Sequence, residues 1–209
     1  MPTVEQARSW YAGADPVHDW AHVQRVTTLA ERIAAAEGAD REIVVAAALL
    51  HDVPAPPTPE ARARHHLWAA DFAADVLVAE GWPAERIAAV QHCIRAHRFR
   101  GDEAPATPEA RALFDADKLD AIGAIGALRA GGYAARHDNP LAGSVSDQFR
   151  STGQLTEAEA HTPQHEFIIK LSRIPARLTT PTGRALAEQR SAFLAGFFDQ
   201  LERELAGHA

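Results

Sequence analysis

The 209-residue sequence contains a single cysteine, Cys93, and no apolar run long enough to span a membrane, which takes about 18 residues. One cysteine excludes an intrachain disulfide and a CxxC site, and it fits a reducing compartment. The first residues also lack the basic-then-apolar pattern of a secretory signal. We therefore expect a soluble, cytoplasmic protein without a membrane partner.

The sequence has fewer basic than acidic residues: 21 lysines and arginines and 28 aspartates and glutamates give a net charge of −7. The basic side chains are interspersed with acids rather than clustered. This distribution argues against binding to the backbone of a nucleic acid polymer. It still permits a small phosphorylated molecule held by a local positive site.

Alternating Val, Ile, Thr and Tyr, the pattern of strands, is scarce, whereas Ala, Leu, Glu and Arg are abundant. The composition predicts an all-α fold. We find no internal repeat and no linker, so we expect one domain over residues 1–209, with a core at about 18–130 and C-terminal helices at about 162–206 packed on it.

Caps and helix breakers predict most helix bounds. Asp19 and Asp40 are the expected N-caps of two helices, the first of which ends near Gly38. Thr-Pro pairs at 162–163 and 180–181 predict the starts of two more. The other expected helices cover residues 4–11, 60–80, 84–96 and 108–126. Between 131 and 162 the polar composition predicts an exposed excursion that could act as a lid.

Eight consecutive apolar residues, 43–50, run directly into His51 and Asp52. A helix without a polar face is covered on all sides, so we expect this one at the centre of the fold. A carboxylate carried into a core needs a compensating partner. A metal ion is one such partner; the alternative is a helix end at which His51 caps the last carbonyls and Asp52 opens the next turn.

His22 and Asp117 are two further polar groups in otherwise apolar helices. Together with His51 and Asp52 they form a set of two imidazoles and two carboxylates. Imidazole suits Mn, Fe, Co, Ni or Zn, and carboxylates also admit harder ions such as Mg. The set predicts a divalent metal ion, with Mn favoured, and chemistry by metal-activated water.

The order of these residues resembles the H…HD…D signature of the HD superfamily of metal-dependent phosphohydrolases. The likeness runs from about His18 to Arg190 and is carried by the segments HDWAHVQRV, ALLHDV, FDADKLDAIGAIG, HEFIIKL and TPTGRALAEQR. They resemble one bacterial subfamily, some members of which act on nucleoside triphosphates. The resemblance implies that His22, His51, Asp52 and Asp117 bind the metal. It also implies hydrolysis of a nucleotide or a similar phosphate ester.

Three residues are expected to assist the chemistry. Asp52 could relay a proton, and Lys118 could neutralise a phosphoryl oxygen. Asp120 could orient His22 or another metal ligand.

Four residues are expected to contact the substrate: Arg25, His66, His97 and Lys170. Arg25 lies one turn after His22, although a solvated helix arginine explains it equally well. Lys170 matches the KL of the later family segment. His97 occupies a family histidine position, but Arg98 replaces the small polar residue that usually follows, which puts local substrate contacts in doubt.

His65, His66 and His92 could supply a second metal, with His66 the best candidate, but for each of them a surface or satisfied core position is the favoured interpretation.

Two other functions stay open. The chain could be a catalytically silent HD module that binds a nucleotide as a sensor. His18 and His22 also have the HxxxH spacing of a zinc peptidase helix, with Asp19 where that motif has Glu. This last hypothesis leaves the His51-Asp52 pair and Asp117 unexplained.

Overall fold

The computed structural model is all-helical, as the composition predicts, and no strand occurs among its described residues. No helix in that part of the chain combines the length and apolar character needed to cross a membrane. The described residues are 1–14, 17, 19–54, 58, 64–98 and 103–208.

Contacts between Cα atoms divide the chain into two compact units. The first consists of Met1–Lys118 with Thr179–Gly183, and the second of Leu119–Leu178 with Arg184–Ala209. The single-domain organisation of the whole chain therefore stays a prediction.

Helices of the first unit follow one another along the chain in the order expected. They are α1 (Val4–Trp10), α2 (Trp20–Glu37), α3 (Arg41–Leu50), α4 (His65–Ala79), α5 (Ala84–Ala96) and α6 (Pro108–Leu119), whose last residue belongs to the second unit. The predicted helix 60–80 is thus observed from His65 onward, and residues 59–63 lie outside the described part.

Helix α3 is the centre of the first unit. All eight of its apolar residues, 43–50, are buried, and α1, α2, α4 and α5 each pack against it. Its N-cap is Asp40, whose side chain accepts hydrogen bonds from the amides of Glu42 and Ile43. The central helix predicted from the apolar run is confirmed, and its rigid end delivers His51 and Asp52.

Helix α2 also has the bounds that its capping residues predict. The Asp19 carboxylate accepts a hydrogen bond of 2.9 Å from the His22 amide, which fixes the first turn. Gly38 ends the helix with φ = 70°, a left-handed conformation that glycine adopts without a steric penalty. His22 consequently lies on the first turn of a well-capped helix.

The expected helix 108–126 is interrupted, so that prediction was wrong in its extent. Helix α6 ends at Leu119, and the next helix begins at Gly123, where φ is +78°. A Cβ at Gly123 would lie 3.2 Å from the Arg190 side chain. Glycine is therefore needed both for the backbone turn and for the close approach of Arg190.

The second unit contains short helices, two 3₁₀ turns and most of a long terminal helix. These elements are α7 (Gly123–Arg136), α8 (Asp147–Thr152), α9 (Pro163–Ile169), the turns Leu171–Arg173 and Pro175–Arg177, and α10 (Pro181–Leu205), whose first residues belong to the first unit. Helices α9 and α10 start at the predicted Thr-Pro pairs.

The polar segment 131–162 is exposed over most of its length, as predicted, but it also contains regular structure and internal hydrogen bonds. Helix α7 extends into it, and Phe149 of α8 is buried. Glu159 accepts hydrogen bonds from the amide and the hydroxyl of Ser146, both at 2.7 Å, and from Nε2 of the buried His165 at 2.9 Å. Thr162 in turn hydrogen-bonds Nδ1 of His165. Side-chain bonds across the segment, which composition does not reveal, hold it in place.

Glu159 should titrate far below an ordinary glutamate. Hydrogen bonds from the Ser146 amide and then from His165 lower its pKa from 4.5 to about 2. Because the pKa of Glu159 is lower in the folded than in the unfolded protein, its ionised carboxylate stabilises the fold. This stabilisation is complete above pH 4.5 and is lost as the pH falls towards 2. In ¹⁵N NMR, the Ser146 amide should shift with a midpoint near pH 2. Glu159→Gln should abolish this transition, and Glu157→Gln, at an exposed neighbour, should preserve it.

Candidate metal centre

Two helices of the first unit end in a buried histidine held in the same way. His51 follows α3, and its Nδ1 lies 2.8 Å from the Ala48 carbonyl. His97 follows α5, and its Nδ1 lies 2.5 Å from the Ile94 carbonyl. A carbonyl can only accept, so Nδ1 carries a proton in both rings, and in the neutral form of such a ring Nε2 is the nitrogen that holds the lone pair. This is the tautomer in which a histidine binds a metal through Nε2.

The Asp52 carboxylate lies among four imidazoles. Its Oδ2 is 3.6 Å from Nε2 of His22 and 3.5 Å from Nε2 of His51. Its Oδ1 is 3.6 Å from Nε2 of His65 and 3.5 Å from Nε2 of His97. Each carboxylate oxygen therefore faces its own pair of ring nitrogens.

Asp117 of α6 joins this arrangement from the side of His22. Its Oδ1 lies 3.6 Å from Nε2 of His22, and its Oδ2 accepts a hydrogen bond of 2.5 Å from Lys118. The Lys118 ammonium also donates to the His97 carbonyl at 2.5 Å and lies 4.9 Å from the centre of the Phe114 ring. Lys118 thus connects the Asp117 carboxylate with the backbone of His97.

Burial and mutual charge set the protonation states of the centre. Burial lowers the pKa of His51 to about 4, so its ring is neutral at pH 7. Burial alone would raise the pKa of Asp52 and of Asp117. The neighbouring imidazoles outweigh burial at Asp52, and Lys118 together with the imidazoles outweighs it at Asp117, so both pKa values lie well below the usual range. The carboxylates are ionised, as metal ligands must be.

The residues present fit a divalent metal ion. His22, His51 and Asp52 offer ligand atoms within 4.8 Å of one another, and so do Asp52, His65 and His97. Ligands about 2.1 Å from one ion lie about 3.0 to 3.4 Å apart, close to the spacings observed here. Nε2 of His51 is buried and has no hydrogen-bond partner among the described residues. A metal ion would satisfy this nitrogen.

The structure places the three predicted substrate-contacting residues of the first unit in different surroundings. His97 is buried with its ring facing Asp52, so it lies with the potential metal ligands rather than at a substrate surface. His66 is partly exposed, its pKa is lowered to about 4 by burial and by neighbouring positive groups, and its ring centre lies 5.6 Å from that of His65. Arg25 lies partly exposed on α2, three residues after His22.

Of the three histidines that could supply a second metal, the sequence favours His66, but the structure places His65 against Asp52. His92 instead pairs with Glu103 at 2.5 Å. His65 and His66 are adjacent at the start of α4, so the sequence shows that a histidine is there but not which ring points inward. His97 also directly follows a helix, but α5 carries Glu85, Arg86 and Arg95, so the sequence signal there is weaker than the apolar run before His51.

Asp120 and Lys170, the remaining predicted site residues, belong to the second unit. The Asp120 carboxylate is buried and pairs with Arg129 at 2.7 Å. Lys170 pairs with Glu166, also at 2.7 Å. Their assignments as an orienting group and a phosphate contact stay predictions. His18, on which the peptidase hypothesis depends, lies outside the described residues.

Removing the charge of Lys118 should destabilise the metal-free protein. Lys118→Met leaves the largely buried Asp117 carboxylate without its cation, and we expect a loss of about 3 kcal/mol in the free energy of unfolding. Lys170, the chain's other lysine, is more exposed and forms a helix-surface pair, so Lys170→Met should cost less than about 0.5 kcal/mol. Urea unfolding in the presence of a chelator measures both values. Equal losses would contradict the structural role assigned to Lys118.

Comparison with known proteins agrees with this geometry. The family model described as the HD domain matches residues 19–122. The uncharacterised protein YpgQ of Bacillus subtilis is 34% identical over 215 residues, which cover 99% of this chain and 96% of YpgQ. The crystal structure of YpgQ in complex with ADP has a TM-score of 0.74 and 31% identity, covering 99% of this chain and 100% of the other.

A structure from an uncultured Thermotogales bacterium, described as a predicted HD superfamily hydrolase, has a TM-score of 0.64 and 26% identity, covering 97% of this chain and 90% of that one. HD-domain proteins are generally hydrolases that bind divalent metals. The family resemblance seen in the sequence is thereby confirmed, and the chain belongs to the HD-domain family as a phosphohydrolase-like protein.

Proposed function

We propose that this protein is a metal-dependent phosphohydrolase that hydrolyses a nucleotide, such as a nucleoside triphosphate, or a similar phosphate ester. The observation that carries the proposal is the position of Asp52, whose two oxygens each face a pair of imidazole nitrogens. Histidine nitrogens and ionised carboxylates gathered in this way form a donor set suited to a divalent cation.

We assign the principal metal site to His22, His51, Asp52 and Asp117. A divalent ion held there would supply an activated water and would polarise a phosphoryl oxygen. The rigid end of α3 positions His51 and Asp52, and the capped first turn of α2 positions His22. Because both helices have capped N-termini and the apolar residues of α3 are buried, the ligands are preorganised on rigid elements.

We further assign a second ion position to the other oxygen of Asp52, with His65 and His97 as its partners. The Nδ1 of His97 is fixed by the Ile94 carbonyl, so its Nε2 is available. His65 is more exposed, with about a third of its side chain accessible, and would complete the site from α4. Asp52 would then belong to both groups of potential ligands, and two ions held there would supply chemistry suited to attack on phosphorus.

Lys118 is better supported as a positioning residue than as a direct phosphate contact. Its ammonium already donates to Asp117 and to the His97 carbonyl, and its side chain is buried. These bonds use two of its three donors on groups that belong to the metal centre. Lys118 would therefore hold Asp117 and His97 at a fixed separation. The proton-relay role of Asp52 stays a proposal beside its role as ligand.

The nucleotide assignment is supported by YpgQ, which has been crystallised with ADP. Arg25 and His66 are the residues of the first unit that we propose as phosphate contacts, and Lys170 is the corresponding proposal in the second. An overall negative chain makes local positive groups such as Arg25 and Lys170 necessary for an anionic substrate, whereas His66, with its pKa lowered to about 4, would contact the substrate as a neutral hydrogen-bonding group.

A panel of nucleotides tests the proposal. The purified protein is incubated with nucleoside mono-, di- and triphosphates in the presence of Mn, Co, Ni or Mg, and phosphate and pyrophosphate are identified among the products. We expect turnover that requires the metal and stops with chelator. Absence of product with every combination would overturn the enzymatic assignment.

The sensor alternative makes a different prediction. A silent module would bind the nucleotide without converting it. Single-turnover measurements with protein in excess, under conditions where calorimetry detects nucleotide binding, separate the two functions. Binding without product would establish the sensor, and stoichiometric product would exclude it.

A further inference from the structure

Tyr11 lies between the two elements that carry the first ligands of the metal centre. Its ring packs against Trp20, the first residue of α2, with ring centres 6.0 Å apart. Its hydroxyl donates a hydrogen bond of 3.0 Å to the Leu49 carbonyl in the last turn of α3. Trp20 is two residues before His22, and Leu49 is two residues before His51. The Tyr11 side chain therefore contacts both backbone segments that directly precede candidate metal ligands.

The end of a helix leaves carbonyls without intrahelical partners, and a buried one needs another donor. In the last turn of α3 the Val53 amide donates to the Leu50 carbonyl at 3.4 Å, so it does not serve Leu49. The Tyr11 hydroxyl supplies the donor that the Leu49 carbonyl requires. It therefore secures the turn from which His51 and Asp52 project.

Tyr11 is suited to remain a permanent donor. Only 4% of the residue is exposed. Burial raises the pKa of Tyr11 well above 10, the negative charge of Asp52 raises it further, and a hydrogen bond with the Asp52 backbone lowers it in part. Because a carbonyl can only accept, the hydroxyl is the donor in its bond to Leu49.

We propose that Tyr11 is a positioning residue of the metal centre: by bonding the end of α3 and packing on the start of α2, it fixes His51 and Asp52 relative to His22. The inference rests on the proposed metal-dependent function. Tyr11 contacts neither metal nor substrate in this role; it acts through the backbone that carries the ligands. Groups that act on ligands from outside the coordination sphere typically contribute 10- to 100-fold to metal affinity.

Tyr11→Phe tests the proposal with the smallest possible change, since it removes one hydroxyl and retains the ring. The chain has one other tyrosine, Tyr133, which is 47% exposed, so Tyr133→Phe is the matched control. Calorimetry of metal-free protein with Mn measures affinity, and the visible spectrum of the Co-loaded protein measures ligand geometry. We expect Tyr11→Phe to weaken Mn binding about tenfold and to change the Co absorption bands. The control should match the wild type in both.

A structural role alone would lower the melting temperature of Tyr11→Phe while leaving Mn affinity and the Co spectrum unchanged, and that result would overturn the proposal. Failure of the wild type to bind Mn or Co would instead refute the proposed function. If Tyr11→Phe does not fold, Tyr133→Phe labelled with ¹³Cζ-tyrosine is studied instead. Tyr11 is then the single tyrosine of the chain, so its NMR signal is assigned without ambiguity. This signal should move when diamagnetic Zn binds; a signal that does not move contradicts the proposal.

Discussion

Asp52→Asn should abolish metal binding and reduce turnover by more than about 100-fold. Losing a group outside the coordination sphere typically costs about 10- to 100-fold, and Asp52 is a proposed ligand, so the effect should be larger. The substitution preserves size but removes the charge of the one carboxylate that faces four imidazoles. In asparagine an NH₂ group replaces one of the two carboxylate oxygens. This group would face a ring nitrogen but could not coordinate an ion. Both ion positions should therefore fail together.

Equilibrium dialysis with elemental analysis measures the metal content, and phosphate release measures turnover. Asp71→Asn, at an exposed position of α4, makes the same chemical change away from the centre and should behave as the wild type. Circular dichroism should show the same helix content in both variants. A metal content in Asp52→Asn equal to that of the wild type would show that the carboxylate does not hold the ion.

His97→Gln should remove one bound ion and leave the other. The imidazole of His97 faces Oδ1 of Asp52, whereas His22 and His51 face Oδ2. If each oxygen serves its own ion, the wild type should bind two equivalents of Mn and His97→Gln one. Turnover should fall by about 10- to 100-fold or more, since the second ion would share the developing charge.

His22→Gln provides the complementary measurement, because it should eliminate the other ion and retain the one near His97. His92→Gln is the control: this histidine is also on α5, but it pairs with Glu103 and not with Asp52. One equivalent of Mn in the wild type, unchanged by His97→Gln, would exclude a second ion while leaving the principal site intact.

Local signals account for the parts of the fold that were predicted correctly. Asp19, Gly38 and Asp40 mark the ends of α2 and the start of α3 because side-chain caps and a left-handed glycine act within one turn of the chain. The interruption after Leu119 was missed because Gly123 lies in a run that is apolar on both sides. The side chain that approaches Gly123 is that of Arg190, which is distant in sequence, so no local pattern indicates this contact.

The sequence by itself determined the helical class, the central position of α3 and, through the resemblance of several ordered segments, the family and the ligand candidates His22, His51, Asp52 and Asp117. Helix packing alone decided that His65 and His97 turn towards Asp52. Successive side chains on a helix point about 100° apart, so His65 and His66 differ completely in direction although they are neighbours. Which of them faces the carboxylate depends on how α4 packs against α3 and α5, and that packing sums many small contacts between residues far apart in the chain.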